Sequence, residues 1–209
     1  MAPAQVNQSI LSGFEILQEV IAAGIPLGSR EVARRLKMEH SRTNRILGTL
    51  RESGMLSQTS DSKYVPGPGI HVLSALSLHA SGLIPAALPV LESFHAKGAT
   101  VALGTVWGDT VVYLLHANPT QDLAHSAGAH ENYPRNKSIF SSVLGPNTPP
   151  KAWVDNLTQG ERSFALRLGD TTQMALAVVY PLDHPEAQDP EKVLSALEQG
   201  AQQIINRNR

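Results

Sequence analysis

The sequence predicts an α+β protein. A small N-terminal unit of three helices and a hairpin is followed by a linker helix and a C-terminal antiparallel sheet flanked by helices. Three observations lead there. Residues 39–51 make one short helix with an apolar arc and an arc of Arg, Asn, Ser and Thr. Apolar side chains upstream of it recur at steps of three and four, the helical period. Beyond Gly98 the pattern changes to β-rich runs bounded by Gly-Asp pairs, which mark hairpins.

Ile10, Phe14, Leu17 and Ile21 predict a first helix over residues 9–23 that turns these side chains to the core. Gly24, Pro26 and Gly28 break it. Ser29 reads as the N-cap of a second helix, with Val32, Ala33 and Leu36 inward. Residues 37–40 have the length of the turn in a helix-turn-helix. In the third helix, an advance of about 100° per residue gathers Thr43, Ile46, Leu47 and Leu50 on a core-facing arc. Ser41, Arg42, Asn44, Arg45, Thr49 and Arg51 fill the remainder with no acid, and Gly48 lets another surface come close. Gly54 suits the helix C-terminus. Residues 55–57 and 63–65 flank Ser60-Asp61-Ser62 as a two-stranded hairpin. Three helices and a hairpin over residues 7–66 make a winged helix-turn-helix.

The polar arc of the third helix has the chemistry of a major-groove reader: Arg matches guanine, Asn matches adenine, and Ser and Thr donate or accept. The chain is near neutral, with 17 basic and 18 acidic residues, yet residues 30–51 hold seven basic residues and two acids. A local patch of this kind is what phosphate binding needs. Arg34 and Arg35 read as a solvated helix face, and Arg42 and Arg45 as groove contacts. The candidate DNA contacts are Ser29 and Arg30 at the start of the second helix, then Ser41, Arg42, Thr43, Asn44, Arg45 and Thr49. Lys63 and Tyr64 in the wing complete the set. Two copies would read a roughly palindromic double-stranded site.

Composition narrows the remaining classes. The chain has 209 residues, 42% of them apolar and 17% charged, ordinary for a globular protein. Absence of cysteine excludes disulfides, thiolate metal sites and a thiol nucleophile. The N-terminus lacks the features of a signal peptide, and the longest apolar run, residues 174–180, is too short to cross a bilayer. A cytoplasmic protein without cofactor or membrane partner is expected. None of the eight histidines has His-x-x-x-His spacing, so no metal site is expected. A hydrolase could draw on Ser126 or Ser138 with His125 or His130 and Asp122, but no nucleophile elbow is present. The expectation is a non-enzyme.

Pro66-Gly67-Pro68-Gly69 ends the N-terminal domain, residues 1–66, and starts a linker helix within residues 67–83. Ile70, Val72, Leu73, Ala75, Leu76 and Leu78 leave that helix so apolar that it needs a partner chain or the next domain. Pro85 and Pro89 punctuate a further helix that ends at Lys97-Gly98. In the third domain, residues 84–209, strands are predicted at 99–107, 110–116 and 121–126, then at 164–168 and 172–180, with turns at Gly108-Asp109 and Gly169-Asp170. Helices are expected at 135–144 and 150–157. Asp189-Pro190 starts a final helix whose core face is Val193, Leu194, Leu197, Ala201, Ile204 and Ile205. A pocket between such a sheet and its helices is a common ligand site.

The stretches 9–17, 27–36, 53–56, 61–68, 101–103 and 108–113, with Ser41 and Arg45 inside residues 41–50, form an ordered set. That set resembles the IclR (isocitrate lyase regulator) family of bacterial transcription regulators. The likeness is collinear from about residue 6 to 116 and looser afterwards. It implies a homodimer, or a tetramer built from two dimers, on operator DNA. It also implies a GAF-like C-terminal domain that binds a small organic effector, a carboxylate or an aromatic acid. Ser141-Ser142 stands where the family usually carries Gly-Lys, and residues 145–161 form a shortened segment. By position, Gly128, Ser138 and Ser141 would hold an effector carboxylate, Arg135 would add charge, and Tyr113 and Phe164 would flank the cavity. The alternative is a winged-helix protein whose shortened second domain serves only oligomerisation or protein contacts.

Overall fold

The structure is a computed structural model and describes residues 5–107, 110–126, 132–169 and 173–207. The chain divides into two compact units, Met1–His79 and Ala80–Arg209.

In the first unit, α1 (Gln8–Ala22) is capped by Asn7, whose side-chain oxygen accepts from the N–H groups of Ser9 and Ile10. α2 (Ser29–Arg35) and α3 (His40–Glu52) follow, then an antiparallel pair, β1 (Leu56–Gln58) and β2 (Tyr64–Pro66). Leu27 bridges to Tyr64 through two backbone hydrogen bonds and pins the α1–α2 loop to the hairpin. Ile16, Val20, Leu27, Val32, Leu47, Leu56 and Tyr64 form the core, with Leu36, Ile46 and Leu50 packed at its edge. Lys37 closes α2 in the left-handed region, at φ 53, and Met38 N–H then donates to the Ala33 carbonyl at 2.9 Å. α4 (Pro68–Ser81) has no buried residue, and Leu76 is 61% exposed.

Four expectations for this unit change. The buried line of α1 is Ser12, Ile16 and Val20, and Ile10 and Phe14 remain 58% and 55% exposed. α1 is apolar on two arcs, and the one bearing Ile16 and Val20 packs into the core with Leu47 of α3. Gly28, not Ser29, holds the N-cap position of α2, and Ser29 Oγ lies 3.1 Å from His40 Nε2. Thr43 is fully buried, as its place on the core arc predicts, and donates its hydroxyl to the Glu39 carbonyl at 3.0 Å, so it cannot be one of the DNA contacts. Tyr64 belongs to the core, so its ring cannot reach out from the hairpin.

The second unit comprises α5 (Leu83–His95), β3 (Thr100–Trp107), β4 (Thr110–Ala117), β5 (Asn132–Pro134), β6 (Lys151–Asn156), β7 (Glu161–Arg167), β8 (Met174–Pro181) and α6 (Pro190–Arg207). Its sheet is antiparallel in the order β5-β4-β3-β8-β7-β6. α5 and α6 cover one face, where Leu91, Phe94, Leu103, Leu115, Phe164, Leu176, Tyr180 and Leu197 form the larger core. The helices meet at Gly200, where a β-carbon would stand 2.3 Å from Val90 Cγ1. Period-two alternation sends the intervening residues, among them Ala102, Ala165, Ala175 and Ala177, to the other face. There they pack with Phe140, Val143 and Leu144 in a second cluster.

Residues 121–126 hold a 3-10 turn, Leu123–His125, in place of the expected strand. Local polar bonds compete with a ladder there: Ser126 donates to the Asp122 carbonyl, and Asn118 N–H to Gln121 Oε1. The expected helix at 135–144 is two 3-10 turns, Arg135–Lys137 and Ile139–Ser142, separated by extended Ser138, which caps the second. Residues 151–156 are strand rather than helix, paired along their length with β7. Cross-strand packing overrides local preference there: Arg162 lies 4.8 Å over the Trp153 ring and forms an ion pair with Asp155. The Gly108-Asp109 turn and Asp170 lie outside the described residues.

Candidate functional site

The exposed arc of α3 is built by subtraction, because most nearby charges are engaged internally. Glu31 receives Arg34 and Arg35 at 2.6 and 2.7 Å, and Arg35 also reaches Glu19 at 2.9 Å. Hydrogen bonds from Arg34 and then Arg35 hold the Glu31 carboxyl down at about 2. Glu39 caps α3 and is likewise held at about 2, first by the Ser41 hydroxyl and then by the N–H groups of Ser41 and Arg42. Arg51 bonds Glu52 and Gln58, and Lys63 pairs with Asp61 at 2.8 Å.

Arg42 donates from Nη2 to Ser12 Oγ at 2.8 Å and to the Gln8 carbonyl at 3.2 Å. It braces α3 against α1, and Ser41 is committed to the cap. Arg30, Lys37 and Arg45 are exposed and make no ion pair or side-chain hydrogen bond among the described residues. Asn44 is exposed beside Arg45, and Thr49 follows one turn on, its hydroxyl donating to the Arg45 carbonyl.

A second site is a cavity of about 330 Å³ on the sheet face away from α5 and α6. Strand register explains the hollow. Ala152, Ala165, Ala177 and Ala102 stand side by side across β6, β7, β8 and β3, and Ser163, Val179 and Thr100 form the next row. Small side chains leave space above the sheet, and Phe140 fills part of it. Gly104 permits that seat, since a β-carbon there would lie 2.8 Å from Phe140 Cε2 and 2.8 Å from the Val112 carbonyl oxygen. Tyr113 packs on Phe140 and His116, with ring centroids 5.7 and 5.0 Å apart. Lys137 and Ser138 come from the covering turns, and Asn118, Asn156, Gln159 and Glu161 complete the lining.

Of the expected effector residues, Tyr113 and Ser138 line this cavity. Arg135 and Ser141 lie at a separate depression with Pro134 and Asn136. Arg135 Nη2 donates to the Leu144 carbonyl, and the Ser141 hydroxyl to the Ser138 carbonyl. Phe164 is fully buried on the opposite, helix-covered face, and Gly128 lies outside the described residues. Thr100, His116, Lys137, Glu161 and Ser163 were not anticipated. For the two in β7 the signal was present, because Glu161, Ser163 and Ala165 alternate with the inward Phe164 and Leu166. The hydrolase set does not assemble: Asp122 pairs with exposed His125 at 2.7 Å, while the Ser126 hydroxyl donates to the Asp122 carbonyl. His130 lies outside the described residues.

Solved structures supply the next observation. An IclR family transcriptional regulator from Brucella abortus superposes with a TM-score of 0.71 at 15% identity, over 97% of this chain and 93% of that one. An IclR transcriptional regulator from Silicibacter sp. gives 0.70 at 17% identity, over 95% of each chain. The chain has the fold of the IclR regulators. A third structure with the IclR fold, an IclR homolog from Microbacterium hydrocarbonoxydans complexed with 4-hydroxybenzoate, gives 0.59 at 15% identity, over 94% of this chain and 97% of that one. All three IclR-fold neighbours are named as transcriptional regulators or as an IclR homolog. No family model and no curated protein matches the sequence. No single helix among the described residues is long and apolar enough to cross a membrane.

Proposed function

We propose that this chain is a DNA-binding transcription regulator of the IclR type, which binds operator DNA as a homodimer or tetramer and responds to a small organic effector. In this reading residues 1–66 are a winged helix-turn-helix domain, residues 67–83 a linker helix, and residues 84–209 a GAF-like effector domain. The observation that carries it is Arg45: an unpaired guanidinium beside exposed Asn44, on a helix whose other arc is anchored in the core. Arg45 and Asn44 read bases, with Thr49 assisting. Arg30 and Lys37 meet phosphates. Arg42 and Ser41 act by fixing the pose of α3, and Lys63 contributes less because Asp61 offsets its charge.

Exposed Ile10 and Phe14 on α1, and Val72, Leu73 and Leu76 on α4, supply apolar surface for a second copy. Two copies then address a site of roughly two-fold symmetry. An effector in the cavity alters DNA binding only insofar as it favours one arrangement of the paired domains over another.

Filter binding of genomic fragments across a salt series tests the reading. Arg45→Ala lowers affinity for the preferred fragment by about 1–3 kcal/mol, on the order of tenfold to a hundredfold. Arg30→Ala and Lys37→Ala weaken all fragments alike and flatten the salt dependence. Full affinity of Arg45→Ala, or no saturable salt-sensitive retention by the parent chain, overturns it.

A further inference from the structure

We infer that the cavity of the C-terminal unit takes a small amino-carboxylate zwitterion, its carboxylate at Lys137 and its ammonium at Glu161. This rests on the effector-site reading above and names the ligand class.

Lys137 and Glu161 both line the cavity of about 330 Å³. Lys137 belongs to a turn that covers the sheet and Glu161 to the sheet itself. Neither has an ion-pair partner among the described residues, whereas Lys151 and Asp155 on β6 and Arg162 on β7 are all paired. Thr100 and Ser163 line the same hollow, and their hydroxyls form no hydrogen bond among the described residues. The cavity therefore offers one donor charge, one acceptor charge and neutral hydrogen-bonding groups.

Charge then sorts the ligand classes. A simple carboxylate that reaches Lys137 brings its negative charge near an uncompensated Glu161, and an amine at Glu161 meets the converse problem at Lys137. A zwitterion satisfies both, and displacement of water by the ligand strengthens both attractions. Among the polar groups of the covering turns, Ser141 donates to the Ser138 carbonyl and Arg135 to the Leu144 carbonyl, while Ser138 accepts from the Phe140 N–H and keeps its hydroxyl proton for a ligand. The apolar surface of Ala102, Ala177, Phe140 and Tyr113 leaves room for a short aliphatic body.

Isothermal titration of the full chain decides it, with α- and ω-amino acids of two to six carbons. The matching straight-chain carboxylates, the matching amines and benzoate serve as comparators. At least one amino acid binds tenfold or more tightly than its matched acid and amine. Glu161→Gln lowers that amino acid's affinity by tenfold or more and leaves the matched acid as good or better. Lys137→Met weakens the amino acid and the acid together. Both side chains are partly or fully exposed, so the unliganded melting temperatures of the variants stay at the parent value. If carboxylates or benzoate bind as well as the amino acids and Glu161→Gln changes nothing, the zwitterion assignment fails while the effector-site reading stands. If no compound of the series binds, both fall.

Discussion

The N-terminal unit engages the acids around α2, α3 and the hairpin internally, whereas the C-terminal unit leaves one charge of each sign unpaired around a hollow. Glu19, Glu31, Glu52 and Asp61 each pair with an Arg or Lys, and Glu39 is bound to the start of α3. What remains outward on α2 and α3 is the surplus, Arg30, Lys37 and Arg45, a surface of one sign suited to a polyanion. In the second unit the pairs Arg162–Asp155 and Lys151–Glu198 sit away from the cavity, while Lys137 and Glu161 face into it. Exposed ion pairs contribute little stability. Their consequence here is to select which charges stay available, a ridge in one unit and a polar concavity in the other.

The comparison breaks most visibly if the wall of the concavity is altered without touching the ridge. Phe140→Ala deletes the ring on the alanine row and should destabilise the C-terminal unit by about 3–5 kcal/mol. Gly104→Ala should cost about 1–3 kcal/mol by overpacking, because part of what it meets is backbone. Urea denaturation followed by Trp fluorescence reports this unit alone, since both tryptophans, Trp107 and Trp153, lie in it. Unchanged midpoints would show that the small-residue row does not need Phe140.

Next in size come effects on DNA. Arg45→Ala should lose tenfold or more in affinity, while Arg34→Ala should lose less than about twofold because Glu31 already holds it. Glu31→Gln sharpens the point in the opposite direction. It removes one negative charge and releases Arg34, while Arg35 keeps its Glu19 partner, so affinity should rise a few-fold at low salt and return to the parent value at high salt. A loss of affinity at every salt concentration would mean that the Glu31 pairs position α2 rather than cancel charge.

How much of this was legible in the sequence follows from how local each feature is. α3 was readable because one helix carries both arcs, and Leu47 and Arg45 fall where a 100° step puts them. α6 was readable for the same reason, with Val193, Leu194, Leu197, Ala201 and Ile204 all buried. α1 misled because Ile10 and Ile16 lie on different apolar arcs, and only the packing partner decides between them. The cavity was largely invisible. Its polar lining comes from β3, β4, β6, β7 and the turns between strands, and its floor includes Ala102 and Ala177, brought side by side by register. The roles of Arg42 and Tyr64 were hidden likewise, since Ser12 and the core that engage them are distant in sequence.

The smallest effect separates the units by pH. Glu31 and Glu39 are held near 2 in the folded chain, against an ordinary value of 4.5. Their stabilisation of the first unit is therefore complete above about pH 4.5 and lost as pH falls toward 2. In the second unit burial, with Glu186 nearby, raises Tyr180 from 10 to about 12. A raised phenol favours the neutral form, so that stabilisation is complete below pH 10 and lost as pH climbs toward 12. Tyr180→Phe should abolish the alkaline loss. At pH 7 it should shift stability by less than about 1 kcal/mol, because the buried hydroxyl has no hydrogen-bond partner among the described residues. Thermal melts of parent and variant from pH 7 to 11.5 read both quantities. An undiminished alkaline decline in the variant would assign it to another group.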